Sequence, residues 1–132
     1  MEQTPVPHND RKTILVVDDD PDILKFVSEF LAQDSYNVLT ANNGQDALQQ
    51  AKAFNQEIHL LLADFEMPGI SGIDLATRLT LERPNIQVLL MSGFNGGMLV
   101  LNEGWHFLAK PFIPSQLRAL IVGLISPPKS KF

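Results

Sequence analysis

Residues 58–69 read IHLLLADFEMPG, and the fold class is indicated most clearly here. Its apolar half is typical of a strand that is buried on both faces, as in a parallel sheet. Pro68 and Gly69 end the strand with a turn. Asp64 is therefore expected at the carboxyl end of an interior strand, the edge at which open α/β sheets bind ligands. Because Asp is also common in turns, this acid either caps the turn or takes part in chemistry.

The composition of the chain limits the possible classes of protein. Its 132 residues suffice for one domain with a proper core. The absence of cysteine excludes disulfides, thiolate metal sites and thiol nucleophiles. No apolar run is long enough to span a membrane and the first ten residues lack a signal-peptide core, so we expect a cytoplasmic protein. The net charge of −5, with scattered Lys and Arg, argues against direct binding of nucleic acid.

Strand patterns alternate with helix patterns along the whole chain. Asp20 and Asn43 are predicted helix N-caps, and Pro21 fits the first helical position. Residues 94–103 are the least regular part, because Gly96 and Gly97 disfavour a helix. The alternation predicts parallel strands with helices on both faces of the sheet. The predicted strands are 13–17, 36–41, 58–64, 86–91 and 105–109, and the clear helices are 21–33, 44–54, 72–81 and 114–125.

Polar side chains are predicted at the ends of four of these strands. Each has a common structural explanation, as a helix cap, a turn residue or a surface charge. Their joint placement is harder to explain in this way, because the carboxyl ends of parallel strands share one edge. The residues are Asp18, Asp19 and Asp20 after the first strand, Asp64 after the third, Ser92 after the fourth and Lys110 after the fifth.

This set of groups suits phosphoryl chemistry. Carboxylates in one cleft repel each other unless a cation is present, and oxygen ligands suit Mg²⁺. The Lys110 ammonium and the Ser92 hydroxyl could stabilise charge on a transferred phosphoryl group. Asp64 would then be the nucleophile and form an aspartyl phosphate.

The chain resembles the receiver domains of bacterial two-component response regulators, in particular the chemotaxis-regulator type. The matching motifs are VVDDD at 16–20, DFEMPG at 64–69, MSG at 91–93 and LAKPF at 108–112. The resemblance implies a three-layer αβα sandwich of the flavodoxin-like class, with a five-stranded parallel sheet in the order 2-1-3-4-5. The family usually has a longer helix between the fourth and fifth strands. Here only 17 residues separate Ser92 from Lys110, and two of them are Gly96 and Gly97, so we expect a fourth helix that is shortened or replaced by a loop.

The resemblance also implies roles for the acidic residues. Asp64 matches the phosphoacceptor, which takes a phosphoryl group from a histidine kinase or a histidine phosphotransfer protein. Asp18 and Asp19 match the acidic pair that binds Mg²⁺ together with Asp64 and the backbone carbonyl of Glu66. The Glu66 carboxylate could repel an attacking hydroxide, contact the metal through water, or simply face solvent.

Three further positions match the family's switch machinery. Ser92 matches the hydroxyl that moves onto the phosphate, and Lys110 matches the lysine that contacts it. Phe107 matches the aromatic switch position three residues before that lysine. An alternating strand buries such rings in any case, so Phe107 could also be ordinary core.

Domain organisation and partners are expectations of the same kind. We expect a flexible arm at 1–12, a receiver domain at 13–126 and a tail at 127–132. No output domain is expected to follow, so the chain is either a stand-alone regulator or part of a larger protein, and it acts on an unknown downstream protein. The shortened helix would alter the usual dimer face, so we expect a monomer.

The leading interpretation is a phosphorylation-controlled switch in signal transduction or a phosphorelay, not an enzyme. Its own chemistry would be at most slow self-catalysed phosphorylation and dephosphorylation. One alternative is a receiver-like scaffold that binds a partner without phosphorylation. The other is a phosphatase with an Asp nucleophile. The phosphatase fits poorly, because Glu66 stands where such enzymes usually carry a second Asp and no cap domain is predicted.

Overall fold

The computed structural model describes residues 10–93 and 105–125. In residues 10–93 strands and helices alternate as the sequence predicts, and in 105–125 a strand is followed by a helix. The described strands form one parallel sheet in the order 2-1-3-4-5. The predicted fold class and strand order are confirmed. The elements are β1 (Thr13–Val17), α1 (Pro21–Gln33), β2 (Asn37–Ala41), α2 (Gly44–Ala53), β3 (Leu60–Asp64), α3 (Gly72–Glu82), β4 (Gln87–Ser92), β5 (Trp105–Ala109) and α4 (Pro114–Leu124).

Most predicted boundaries agree with the structure to within one residue, and the largest difference is at β3. This strand begins at Leu60, not at Ile58, although the His59 backbone N–H already donates to Thr13 O at 2.8 Å. The predicted shortened fourth helix falls on residues 94–104, and the tail on 127–132, both outside the described ranges. Of the predicted arm, only 10–12 are described; there Lys12 O accepts a bond from Asn37 N at 2.9 Å. No helix in these ranges is long and apolar enough to cross a membrane.

Side-chain caps fix the start of three helices just beyond the sheet. Asp20 accepts a hydrogen bond from Asp22 N at 2.9 Å, and Asn43 accepts one from Asp46 N at 2.8 Å, so both predicted caps are confirmed. Ser71 caps α3 in the same way. Each cap satisfies a backbone N–H that the helix leaves free, a contribution of about 1 kcal/mol.

The core lies on both faces of the sheet, which explains the nearly continuous apolar runs of the inner strands. Alternate residues of β1, β3 and β4 pack toward α2 and α3 on one face, and toward α1 and α4 on the other. All five residues of β1 and all five of β3 are buried. Asp64 therefore ends a strand that is fixed on both sides by its neighbours, as a parallel sheet requires.

Helix α3 packs very close to the end of β3. The N–H of Gly72 donates to Phe65 O at 3.1 Å, and a Cβ at position 72 would lie 2.3 Å from Asp64 O. Only glycine fits this contact, because a side-chain carbon cannot approach a carbonyl oxygen so closely. The close approach holds the backbone of Asp64 and Phe65 against the start of α3.

We predict that Gly72→Ala destabilises the protein by about 1–3 kcal/mol, the usual cost of overpacking. Gly123→Ala is the matched control, since Gly123 is also helical but its Cβ would meet nothing within 4 Å. This control should stabilise the protein by up to about 1 kcal/mol, the helix-propensity gain over glycine. Urea unfolding of both variants measures the difference, and equal effects would contradict the close packing at Gly72.

Candidate functional site

Three carboxylates meet at the carboxyl edge of the sheet. One carboxylate oxygen each from Asp18, Asp19 and Asp64 lies within 4.8 Å of the others. Asp18 is fully buried and Asp64 is 8% exposed, whereas Asp19 is exposed to solvent. The three acids come together because β1 and β3 are neighbours in the sheet and end at the same level.

Lys110 reaches this acidic cluster from the end of β5. Its Nζ lies 3.1 Å from Asp18 Oδ2 and 3.4 Å from Asp64 Oδ1. The backbone N–H of Lys110 donates to Ser92 O at 2.7 Å, which ties the residue to the end of β4, and a cis peptide joins it to Pro111. One ammonium group therefore contacts carboxylates from two separate strands.

Burial and charge shift the ionisation of both sides of this contact. Burial, followed by the nearby charge of Asp18, raises the pKa of Asp64 above its ordinary value, although Lys110 opposes the shift. Burial alone would lower the pKa of Lys110, but the hydrogen bond and charge of Asp18, together with Asp64, outweigh burial and raise it. Lys110 thus stays protonated, and the site favours added positive charge.

The backbone after Asp64 also faces its carboxylate. Glu66 N donates to Asp64 Oδ1 at 3.4 Å, while the Glu66 side chain is exposed. Phe65 N donates to Met91 O at 2.7 Å, which extends the pairing of β3 and β4 by one residue. The Glu66 carbonyl as a metal ligand stays a prediction.

Ser92 and Phe107 lie at and behind the same edge. Ser92 is the last residue of β4 and is 2% exposed, one residue beyond the strand partner of Asp64. Phe107 lies inside β5 and is partly buried, with its ring edge-to-face on Phe65 at a centroid distance of 5.8 Å. The structure thus places every predicted site residue at or near one end of the sheet, and their switch roles stay predictions.

Sequence reasoning missed two structural parts of this site. It treated Phe65 only as the residue after the acceptor and Gly72 only as a helix start. The ring contact of Phe65 with β5 and the approach of Gly72 to Asp64 O both depend on tertiary packing. The local signal for Gly72 was its place at the first position of the helix that follows the turn after Asp64.

The donor set fits a hard divalent cation. The cluster offers three carboxylate oxygens and no nitrogen or sulfur ligand, which is the chemistry that Mg²⁺ prefers. Two of the three acids are buried and contact a lysine. An additional cation would offset the burial and the charge of Asp18, which together raise the pKa of Asp64.

A five-stranded parallel sheet with clustered carboxylates and a lysine at its carboxyl edge defines the CheY-like class of α/β domains. The family model for the response regulator receiver domain matches residues 14–122, and this chain belongs to that family. Receiver domains bind Mg²⁺ at an acidic pocket of this kind.

Solved receiver structures are similar over most of their length. A receiver domain protein from Clostridium thermocellum is 28% identical with a TM-score of 0.78, over 86% of this chain and 94% of that chain. The response regulator TrrA from Thermotoga maritima, in complex with Mg²⁺ and BeF, is 30% identical with a TM-score of 0.76, over 86% and 99%. TrrA in complex with the histidine kinase ThkA is 31% identical with a TM-score of 0.74, over 87% and 99%.

Curated relatives are longer than this chain. The phosphoglycerate transport system transcriptional regulatory protein PgtA of Salmonella typhimurium is 34% identical over 86% of this chain and 28% of its own length. The uncharacterized transcriptional regulatory protein YrkP of Bacillus subtilis is 33% identical over 83% of this chain and 47% of its own length. The chain therefore spans less than half of either relative.

We predict that Lys110→Met destabilises the protein by about 1–3 kcal/mol at neutral pH, because it leaves the buried Asp18 carboxylate without its ammonium partner. Adding Asp18→Asn should recover part of the loss, since the amide carries no charge. Arg118→Met is the control: it breaks an exposed ion pair with Asp34, and such pairs contribute little. Chemical denaturation compares the variants. Additive effects of the 18 and 110 substitutions would contradict the coupling.

Proposed function

We propose that Asp64 accepts a phosphoryl group from the phosphohistidine of a histidine kinase or phosphotransfer protein in a Mg²⁺-dependent reaction. The phosphorylated domain then switches a surface that binds another protein. One observation carries the proposal: Asp64 Oδ1 lies 3.4 Å from Lys110 Nζ, beside Asp18 and Asp19. This is the combination of nucleophile, fixed cation and metal-ligand oxygens that phosphoryl transfer to a carboxylate requires.

The acidic residues divide into metal ligands and nucleophile. Asp18, Asp19 and Asp64 would hold Mg²⁺ through their carboxylates, with the Glu66 backbone carbonyl as a further ligand. When bound, Mg²⁺ supplies positive charge that offsets the phosphoryl oxygens. The burial of Asp18 keeps its carboxylate fixed at the base of the site, while the exposed Asp19 borders solvent.

Transfer then forms one bond and breaks one bond. A carboxylate oxygen of Asp64 forms the new P–O bond while the P–N bond to the donor imidazole breaks, and the bonding electrons stay on the imidazole nitrogen. The Lys110 ammonium neutralises charge on the phosphoryl oxygens, as its position between two carboxylates allows. The Ser92 hydroxyl donates to the product phosphate, and Phe107 responds as the aromatic switch.

A protein donor is supported by the surface around Lys110. A hollow of about 470 Å³ lies beside it, lined by Ile23, Phe26, Gly93, Lys110, Pro111 and Phe112. The Phe26 side chain is 47% exposed at this hollow. A large aromatic side chain exposed beside the lysine that contacts Asp64 favours contact with a partner protein. The similar TrrA chain has been solved with the histidine kinase ThkA.

We predict that Mg²⁺ and acetyl phosphate add one phosphoryl group to the wild-type chain, and that Asp64→Asn abolishes the addition. The amide of Asn is not a nucleophile for this reaction. Asp74→Asn is the matched control, because Asp74 is an exposed carboxylate in the first turn of α3. Intact mass spectrometry measures the added mass. Equal labelling of Asp64→Asn would place the acceptor elsewhere, and no labelling of the wild type would favour a scaffold role.

We also predict that Phe26→Ala slows phosphoryl transfer from a histidine kinase about tenfold, the loss expected for an aromatic anchor of an interface. Labelling by acetyl phosphate should not change, since a small donor needs no protein contact. Leu81→Ala is the control, because Leu81 is 79% exposed on α3, on the opposite face of the sheet. Phosphotransfer reactions quenched at a series of times compare the transfer rates of the wild type, Phe26→Ala and Leu81→Ala. A Leu81→Ala defect with a normal Phe26→Ala rate would refute docking beside α1.

A further inference from the structure

The rings of Phe65 and Phe107 make a contact that links two strands of the sheet. Their centroids are 5.8 Å apart with an interplanar angle of 70°, an edge-to-face arrangement that aromatic pairs prefer. Phe65 follows the last residue of β3, and Phe107 lies in β5. β4 lies between them, and its Leu90 pairs with Phe107 and packs in the same cluster as both rings. The two rings therefore join the acceptor strand to the strand that leads to Lys110.

The backbone on either side of the Phe65 ring is fixed. Phe65 N donates to Met91 O at 2.7 Å, and Phe65 O accepts from Gly72 N at 3.1 Å. Successive side chains of an extended chain point to opposite faces. With the backbone held, the direction of the Phe65 ring and the direction of the Asp64 carboxylate are set together.

A closed path of contacts runs through the site. It goes from Asp64 to Phe65, across the ring contact to Phe107, along β5 to Lys110, and back through the 3.4 Å contact of Lys110 Nζ with Asp64 Oδ1. A phosphoryl group on Asp64 would separate Asp64 from Lys110, so the path must adjust elsewhere. The Lys110 side chain and the ring contact are the adjustable parts, and only the ring contact can change without breaking a hydrogen bond.

We propose that Phe65 is a positioning residue that holds the Asp64 side chain in place. When a phosphoryl group is bound to Asp64, the contact of the Phe65 ring passes the change on to the packing of Phe107 and β5. This inference rests on the proposed function. It adds a second connection between the acceptor and the aromatic switch position, through packing and not through the hydroxyl of Ser92. The expected consequence is energetic coupling between positions 65 and 107 when the acceptor is occupied.

Beryllofluoride, a mimic of the phosphoryl group on Asp, tests this coupling in the presence of Mg²⁺. Calorimetry gives its affinity for the wild type, Phe65→Leu, Phe107→Leu and the double variant. Each single variant should bind about two- to tenfold more weakly, the range that one aromatic pair corresponds to. The double variant should bind no more weakly than the weaker single variant, because the same contact is lost once. Phe65→Tyr should restore binding, since it keeps the ring.

Phe54→Leu is the matched control. Phe54 is a partly buried phenylalanine of the same hydrophobic cluster, at the end of α2, so its loss removes comparable core packing. The fold-loss of beryllofluoride affinity caused by Phe54→Leu should multiply with the fold-loss caused by Phe107→Leu, because we expect no coupling between these two positions. If Phe65→Leu also multiplies independently, or binds like the wild type with only lower stability, the inference is wrong while the proposed function stands. If the wild type itself binds no beryllofluoride, the proposed function fails and this inference with it.

Discussion

The contact of the Lys110 ammonium with the carboxylates of Asp18 and Asp64 is the interaction on which the site depends. Asp18 is fully buried and Asp64 nearly so, and carboxylates buried at short range repel each other unless a cation lies nearby. Lys110 supplies that cation from β5, while Asp18 and Asp64 come from β1 and β3. The strand order β2-β1-β3-β4-β5 is what brings these ends to one edge. The topology of the sheet thus brings the site residues together, and their side chains then provide the charges of the site.

The packing behind the site fixes the backbone of Asp64 and Phe65. Gly72 approaches Asp64 O so closely that no side chain fits, and Phe65 is bonded on both its N–H and its C=O. The charge of Lys110 therefore acts on the side chain of Asp64, while the packing of Gly72 acts on its backbone. A fixed backbone that carries a carboxylate beside another acid suits the proposed binding of a cation and a phosphoryl group. The contacts that remain free to change are the ones made by side chains, at Lys110 and between the two rings.

Much of this arrangement could be predicted from the sequence. Buried strands appear as apolar runs, and each run ends on a polar residue, so Asp18, Asp64, Ser92 and Lys110 were expected at one edge. The caps Asp20 and Asn43 were also expected, because their side chains act on neighbouring backbone. Local signals of this kind carry the fold and the family.

Contacts between distant segments were not predictable from local patterns. No spacing rule indicates that the Phe65 ring meets Phe107, since the two residues lie on strands separated by β4. The start of β3 at Leu60 was also missed. The apolar Ile58 lengthens the hydrophobic run in the sequence, but the strand itself begins two residues later. Whether Glu66 acts through its carbonyl depends on a bound cation and not on residue type.

The most direct test of the proposed phosphoacceptor site is a structure of the chain with Mg²⁺ and beryllofluoride bound. We expect beryllofluoride on the Asp64 carboxylate, Lys110 Nζ in contact with its fluorides, and the cation held by Asp18, Asp19, Asp64 and the Glu66 carbonyl. Beryllofluoride bound elsewhere, or Lys110 still joined only to the carboxylates with Asp64 unmodified, would contradict the proposed site.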